Sequence, residues 1–110
     1  LTLLDPFTLF RFNKDYGIYE FGKRADFCEQ YLNNNDLVPF TNKPIKNAYI
    51  NDITLAESKK SFMIHKKDNE SGHDWPLYYY ANNWFEKTDP RKFIAVHDVL
   101  KRGYVRYIYS

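Results

Sequence analysis

Apolar positions near the carboxyl end of the chain recur first at helical spacing and then in alternation. With 100° between successive residues, one face of a helix gathers the side chains of Phe93, Val96, His97 and Leu100. Thr88 or Asp89 can cap this helix, Pro90 suits its first turn, and Gly103 can close it. The pattern predicts a helix between Asp89 and Gly103, followed by a strand over 104–110.

Two other segments each contain a pair of aromatic-rich runs that are separated by polar turn residues. These segments are residues 7–21 and 77–87. Aromatic and β-branched runs are typical of strands, and Asn in the turn Asn82-Asn83 tolerates the positive φ of a tight hairpin. We therefore predict two β-hairpins. For the second segment the alternative is an amphipathic helix that starts at Pro76 after a cap at Asp74.

The middle of the chain contains two further helical patterns and one short strand pattern. Between Lys23 and Asn34, helical spacing relates Ala25, Phe27, Cys28, Tyr31 and Leu32. Thr54 and Glu57 match a capping box, which predicts a helix from about Leu55 onward. Residues 48–50 are compatible with a short strand.

These elements predict a single α+β domain over residues 1–110. Its sheet is expected to be mostly antiparallel, built from the two hairpins and the C-terminal strand and packed by two or three helices. A chain of 110 residues can bury a hydrophobic core, and an aromatic content of 19% implies much packing between rings. Because the chain begins with Leu1 rather than Met, we expect it to be excised from a longer protein.

Cysteine content and hydropathy bear on location. Cys28 is the single cysteine, so an internal disulfide is excluded, which fits a reducing compartment. No apolar run approaches the roughly 20 residues of a membrane span. An intracellular location is expected. The net charge of +2 is too small to indicate nucleic-acid binding by itself.

The abundance of aromatic residues favours a non-catalytic binding module within a larger protein or assembly. Aromatic side chains that the core does not need would anchor a protein partner. The candidate anchors are Tyr78, Tyr79, Trp84, Tyr107 and Tyr109. This hypothesis includes no catalytic residue and no cofactor.

Binding of nucleic acid is the first alternative. The segment Val99–Arg106 resembles the junction between recognition helix and wing in winged-helix DNA-binding domains. That resemblance implies phosphate contacts from a basic helix end and a basic strand. The residues that would make them are Lys101, Arg102 and Arg106, helped by Arg91 and Lys92. The helix itself is apolar over most of its circumference, which leaves little surface for reading bases.

A metal-dependent nuclease or phosphoesterase is the second alternative. Residues 65–74 contain two histidines and three carboxylates, and these side chains can bind a divalent cation that activates water. The candidate ligands are His65, Asp68, His73 and Asp74. Their spacing matches no defined ligand motif, and a solvated polar loop explains the same composition.

Overall fold

A four-stranded sheet forms the centre of the domain in a computed structural model, which describes residues 1–83 and 101–109. The strands are β1 (Thr2–Leu4), β2 (Glu29–Leu32), β3 (Tyr49–Asp52) and β4 (Val105–Tyr107). They lie in the order β1-β2-β3-β4, and all three neighbouring pairs are parallel. The prediction of a mostly antiparallel sheet is therefore wrong.

Long connections explain the parallel arrangement, because a parallel partner requires the chain to return to the starting edge of the sheet. The β1–β2 connection contains helix α1 (Tyr16–Glu20). The β3–β4 connection contains helix α2 (Ser58–His65), a 3₁₀ turn (Gly72–Asp74) and helix α3 (Trp75–Asn83). The described elements thus form an α/β domain in which crossovers replace hairpins.

The first predicted hairpin, over residues 7–21, is a loop followed by α1. One isolated antiparallel bridge, between Phe10 and Asn13, is what the structure shows in place of the predicted strand pair. The Gly17 N–H donates to the Thr8 carbonyl at 2.8 Å, and a Cβ at residue 17 would lie 2.8 Å from the Thr8 Cα. A glycine at this position lets the helix approach the loop, and that contact takes the place of strand pairing.

The helix predicted between Lys23 and Asn34 is also wrong, because its second half is strand β2. β2 is an inner strand that is buried on both faces, so its residues show no alternation between apolar and polar types. Its polar residue Gln30 accepts a hydrogen bond from the Ile45 N–H at 2.8 Å and donates to the Lys43 carbonyl at 2.9 Å. That side chain satisfies backbone groups of the following loop, which has no helix.

The second predicted hairpin fails as well, and the helical alternative holds for the described part of it. Helix α3 extends through the expected turn to Asn83, with Pro76 in its first turn. Residues 84–87 lie outside the described residues, as do residues 89–100 of the predicted C-terminal helix. Asp74 does take part in a cap, which belongs to the 3₁₀ turn that precedes α3.

Three local predictions agree better with the structure. β3 includes residues 49 and 50 of the predicted strand, and β4 lies within the strand predicted over 104–110. Gly103 has a φ of 89°, as expected of a glycine turn. Helix α2, however, begins at Ser58 rather than near Leu55, and the Thr54 hydroxyl accepts the Asn34 N–H instead of capping α2.

The two faces of the sheet bury separate apolar clusters. The face covered by α2 and α3 packs Tyr31, Ile53, Ala56, Phe62, Trp75 and Tyr79. The opposite face packs Cys28, Leu32, Ile45, Ala48 and Ile50. Successive residues of a strand point to opposite faces, so the neighbours Tyr31 and Leu32 join different clusters. Cys28 is a buried residue of the second cluster.

Over residues 1–83 and 101–109, no helix combines the length and the apolar character needed to cross a bilayer.

Candidate metal centre

Several polar side chains gather where the parallel strands end. Asp5 follows β1 directly, Asn33 follows β2 directly, and Asp52 is the last residue of β3. Since the strands are parallel, their carboxyl ends lie at one edge of the sheet, which is where open α/β sheets bind ligands. All three residues are buried.

Asp5, Asp36 and His73 form the centre of this group, and we call them the carboxyl-edge triad. The His73 Nδ1 atom lies 2.9 Å from Oδ2 of Asp5 and 2.9 Å from Oδ2 of Asp36. One ligand atom from each residue falls within 4.8 Å of the other two, which is close enough to share one metal ion. The two carboxylates are buried, whereas 39% of the His73 side chain is exposed. The triad is therefore open to solvent on its histidine side.

Local backbone structure holds each carboxylate in place. Asp5 adopts a φ of 53°, a left-handed conformation that aspartate tolerates better than most residues. The Oδ1 atom of Asp36 accepts the Val38 N–H at 2.8 Å, and its Oδ2 atom accepts the Thr41 hydroxyl at 2.8 Å. Asp36 is thus fixed by a turn in its own loop.

The 3₁₀ turn positions the histidine. The Ser71 hydroxyl accepts the His73 N–H at 3.2 Å, and the Ser71 N–H donates to Asp74 Oδ2 at 2.7 Å. These two bonds form a capping box. The Asn33 side chain then donates to the Gly72 carbonyl at 2.7 Å, which attaches the turn to the end of β2.

Burial and mutual interaction shift the pKa values of the two carboxyl groups in opposite directions. Burial, together with a hydrogen bond to Asp36 and the Asp36 charge, raises the pKa of Asp5 to about 9. Burial also acts to raise the pKa of Asp36, but hydrogen bonds from Asp5, Val38, Thr41 and His73 hold that pKa at about 2. The surroundings thus favour the protonated form of Asp5 and the ionised form of Asp36.

A lysine lies beside the triad. Lys59, near the start of α2, is 9% exposed. Its ammonium group donates to the Asn33 side-chain oxygen at 2.8 Å and to the Asn35 side-chain oxygen at 2.6 Å. Burial lowers the pKa of Lys59, while the charges of Asp52, Asp5 and Asp36 act in the opposite direction.

The structure places only one of the four metal ligands proposed from the sequence in this centre. His73 joins the triad, whereas Asp74 serves the capping box. His65 is exposed at the end of α2, where its Nδ1 lies 2.9 Å from the Ser61 carbonyl, and Asp68 is exposed. Asp5 and Asp36 were not among the four ligands proposed from the sequence. For Asp5, a signal was available, because this acid directly follows the apolar pair Leu3-Leu4.

The proposed aromatic anchors lie in different surroundings. Tyr79 is buried and packs against Tyr31, whereas Tyr78 is exposed with its ring 4.9 Å from that of Phe62. Tyr107 and Tyr109 are 60% and 62% exposed, at and beyond the end of β4. Trp84 lies outside the described residues.

Two of the basic residues proposed for nucleic acid, Arg102 and Arg106, have hydrogen-bond partners within the domain. Arg102 donates to four backbone carbonyls, and Arg106 donates to the Asn51 side chain at 3.0 Å. Lys101 is exposed. Arg91 and Lys92 lie outside the described residues.

No family model, curated protein or solved structure matches the chain. The functional argument therefore depends on the geometry of the site.

Proposed function

We propose that the domain is a divalent-metal-dependent hydrolase whose metal centre is Asp5, Asp36 and His73. The observation that carries this proposal is the convergence of three ligand atoms, from three separate segments of the chain, within 4.8 Å at the carboxyl edge of a parallel sheet. The proposal keeps the metal-dependent hydrolysis that residues 65–74 suggested, but it replaces three of the four ligands predicted there.

The burial of two adjacent carboxyl groups supports a cation site. Two adjacent carboxylates in one buried site repel each other without a counter-charge, and this repulsion adds to burial in raising the pKa of Asp5. A divalent cation would supply that counter-charge and pair with both carboxylates. His73 would bind the cation as a neutral imidazole through Nδ1, because metal ligands bind in their deprotonated form.

The ligand set favours a catalytic metal over a purely structural one. Catalytic sites commonly use three protein ligands and leave a position for water or substrate, whereas structural zinc sites are closed by four. The triad offers three ligands, and its half-exposed histidine leaves one side open. A bound metal ion supplies a water of lowered pKa and a positive charge that polarises the substrate.

Binding of Mn²⁺ and Zn²⁺ to the metal-free protein, followed by calorimetry, tests the site. We expect His73→Ala and Asp36→Asn to weaken binding by at least tenfold, because each removes one of three ligands. His65→Ala is the matched control, since this exposed histidine lies outside the triad and its loss should leave the affinity unchanged. Equal affinity of wild type and His73→Ala would contradict the proposal.

We also propose, as a second candidate, that the surface of β4 anchors a protein partner through Tyr107 and Tyr109. The supporting observation is the exposure of Tyr107 on β4 and of Tyr109 just beyond it, together with the pairing of β4, among the described elements, with β3 alone. Unpaired strand edges and exposed aromatic side chains are both common features of binding surfaces.

Photo-crosslinking tests this second candidate. A benzophenone amino acid at position 107 should yield a specific adduct with one partner in a cell extract. The same group at position 19 is the control, because Tyr19 is also exposed but lies on α1. Identical adducts from both positions would remove the support for a binding surface at β4.

A further inference from the structure

Lys59 is a buried cation that forms no direct ion pair with a described carboxylate. Its ammonium group contacts two neutral amide oxygens, and in the part of the chain that the structure describes no carboxylate oxygen lies within 4.0 Å of it. Buried charges are normally paired or bound to an ion of opposite sign. The third N–H of this ammonium has no hydrogen-bond acceptor among the described residues.

Helix stability does not explain the position of this lysine. Lys59 is the second residue of α2, and a cation in the first turn opposes the helix dipole. Phe62, one turn later, is the residue through which α2 enters the core. The burial of this ammonium group is therefore not explained by the stability of α2.

An open groove of about 600 Å³ adjoins both Lys59 and the triad. Asp36 lines this groove and also belongs to the triad, so the groove lies beside both the metal centre and Lys59. Much of the remaining wall is apolar and consists of Leu37, Val38, Pro39 and Met63. The volume is in the range of small-molecule sites.

A bound divalent cation and the Lys59 ammonium would place two positive groups at the carboxyl edge. The cation would balance Asp5 and Asp36, and the buried Asp52 carboxylate offsets Lys59 from beyond contact distance. A phosphoryl group carries negative charge on several oxygens, so it can contact the metal and the ammonium at the same time.

We propose that the substrate is a small phosphomonoester with an apolar organic group, whose phosphoryl oxygens bind Lys59 and whose organic group lies in the groove. This inference rests on the proposed metal-dependent hydrolase. In the reaction, the oxygen of water forms a bond to phosphorus while the bond from phosphorus to the ester oxygen breaks. The organic group leaves as an alcohol with one proton of the water, and the other proton remains on inorganic phosphate.

The test measures binding of phenyl phosphate and of inorganic phosphate to the Mn²⁺-loaded protein. We expect both to bind, with phenyl phosphate several-fold tighter because its ring contacts the apolar wall. Lys59→Gln should weaken both by at least tenfold, since it removes the charge that contacts the anion. Lys60→Gln is the matched control, because Lys60 is the exposed neighbour on the same helix and its loss should change nothing.

A second variant covers the case in which Lys59→Gln fails to fold. Met63→Asp introduces a charge at an exposed position of the groove wall. It should remove the preference for phenyl phosphate over inorganic phosphate and leave Mn²⁺ binding intact. Unchanged preference in this variant would overturn the assignment of the groove.

The remaining outcomes separate this inference from the proposed function. If Mn²⁺ binds but neither phosphate compound does, or if Lys59→Gln and Lys60→Gln bind them equally, the substrate assignment is wrong and the metal centre stands. If Mn²⁺ does not bind, the hydrolase proposal fails. In that case phenyl phosphate binding is compared in the metal-free proteins. Weaker binding in Lys59→Gln but not in Lys60→Gln still supports an anion site at Lys59, and equal binding overturns that anion site. A single-stranded oligonucleotide that binds more tightly than phenyl phosphate, with an affinity that falls steeply with salt, would overturn the inference in favour of nucleic acid.

Discussion

The two edges of the sheet each contain a buried or half-buried cation, and the two cations have different surroundings. At the amino edge, the two Nη atoms of Arg102 each donate to two backbone carbonyls, at distances between 2.7 and 3.2 Å. At the carboxyl edge, Lys59 contacts two amide oxygens beside a groove and the buried carboxyl groups of Asp5 and Asp36.

This difference separates a structural cation from one that can serve a ligand. The four carbonyls bonded to Arg102 belong to Gly22, Ala25, Asp26 and Asn47, in the segments that lead into β2 and β3. Arg102 therefore joins the entries of two strands to the segment before β4. The Nη donors of Arg102 are already used within the domain. At the carboxyl edge, a bound metal can pair with the carboxyl groups, and a bound anion can pair with the Lys59 ammonium.

Loss of the Arg102 guanidinium should have the largest effect on stability. We expect Arg102→Met to lower the free energy of unfolding by about 2–3 kcal/mol, because hydrogen bonds to charged groups are strong and four carbonyls each lose one such bond. Urea denaturation measures the change. Lys101→Ala is the control, since this exposed neighbour should alter stability by less than about 0.5 kcal/mol.

An Arg102→Met protein as stable as the Lys101→Ala control would show that the guanidinium is not structural. The comparison between the two edges would then fail, and the hypothesis that Arg102 contacts nucleic acid would gain support.

Local signals in the sequence predicted some elements of this fold and missed the pairing of its strands. Gly103 and the alternating residues after it indicated a turn and a strand, because a left-handed glycine and a half-exposed edge strand have local signatures. β2 has no such signature, since an inner parallel strand is buried on both faces. Its apolar spacing also fits a helix, and only its neighbours in space decide between the two.

Less of the candidate metal centre than of the fold could be predicted from the sequence. His73 was identified from the density of ligand-type residues around it, but its partners lie 68 and 37 residues away in the chain. Such contacts depend on the order of the strands, which the sequence patterns did not predict. With a parallel sheet, Asp5 after β1 and Asn33 after β2 necessarily reach the same edge.

The stability of the domain should depend on pH through the carboxyl edge and not through the amino edge. We expect this effect to be smaller than that of Arg102→Met. The pKa of Asp5 is raised from 3.8 to about 9, so between these values the folded protein binds more protons than the unfolded chain. Stability of the metal-free protein should therefore fall as pH rises through this range, with a slope of at most about 1.4 kcal/mol per pH unit. The lowered pKa of Asp36 acts at the acid end, where stability should be lost as pH falls from about 4 toward 2.

Urea denaturation of the metal-free protein between pH 5 and 8 measures this slope. Asp5→Asn should flatten it, because an amide has no proton to lose and asparagine tolerates the left-handed backbone at this position. Arg102→Met should retain the wild-type slope, since that side chain lies at the other edge. A slope that persists in Asp5→Asn would assign the titration to another group.

Replacement of Lys59 should have the smallest effect on the stability of the metal-free protein. Lys59→Met leaves the buried Asn33 oxygen without its donor, which is unfavourable, but it also removes a buried charge that has no close counter-ion, which is favourable. We expect the two contributions to offset each other to within about 1 kcal/mol in urea denaturation. A loss as large as that of Arg102→Met would mean that Lys59 is a structural cation like Arg102, and the carboxyl edge would then hold no charge reserved for a ligand.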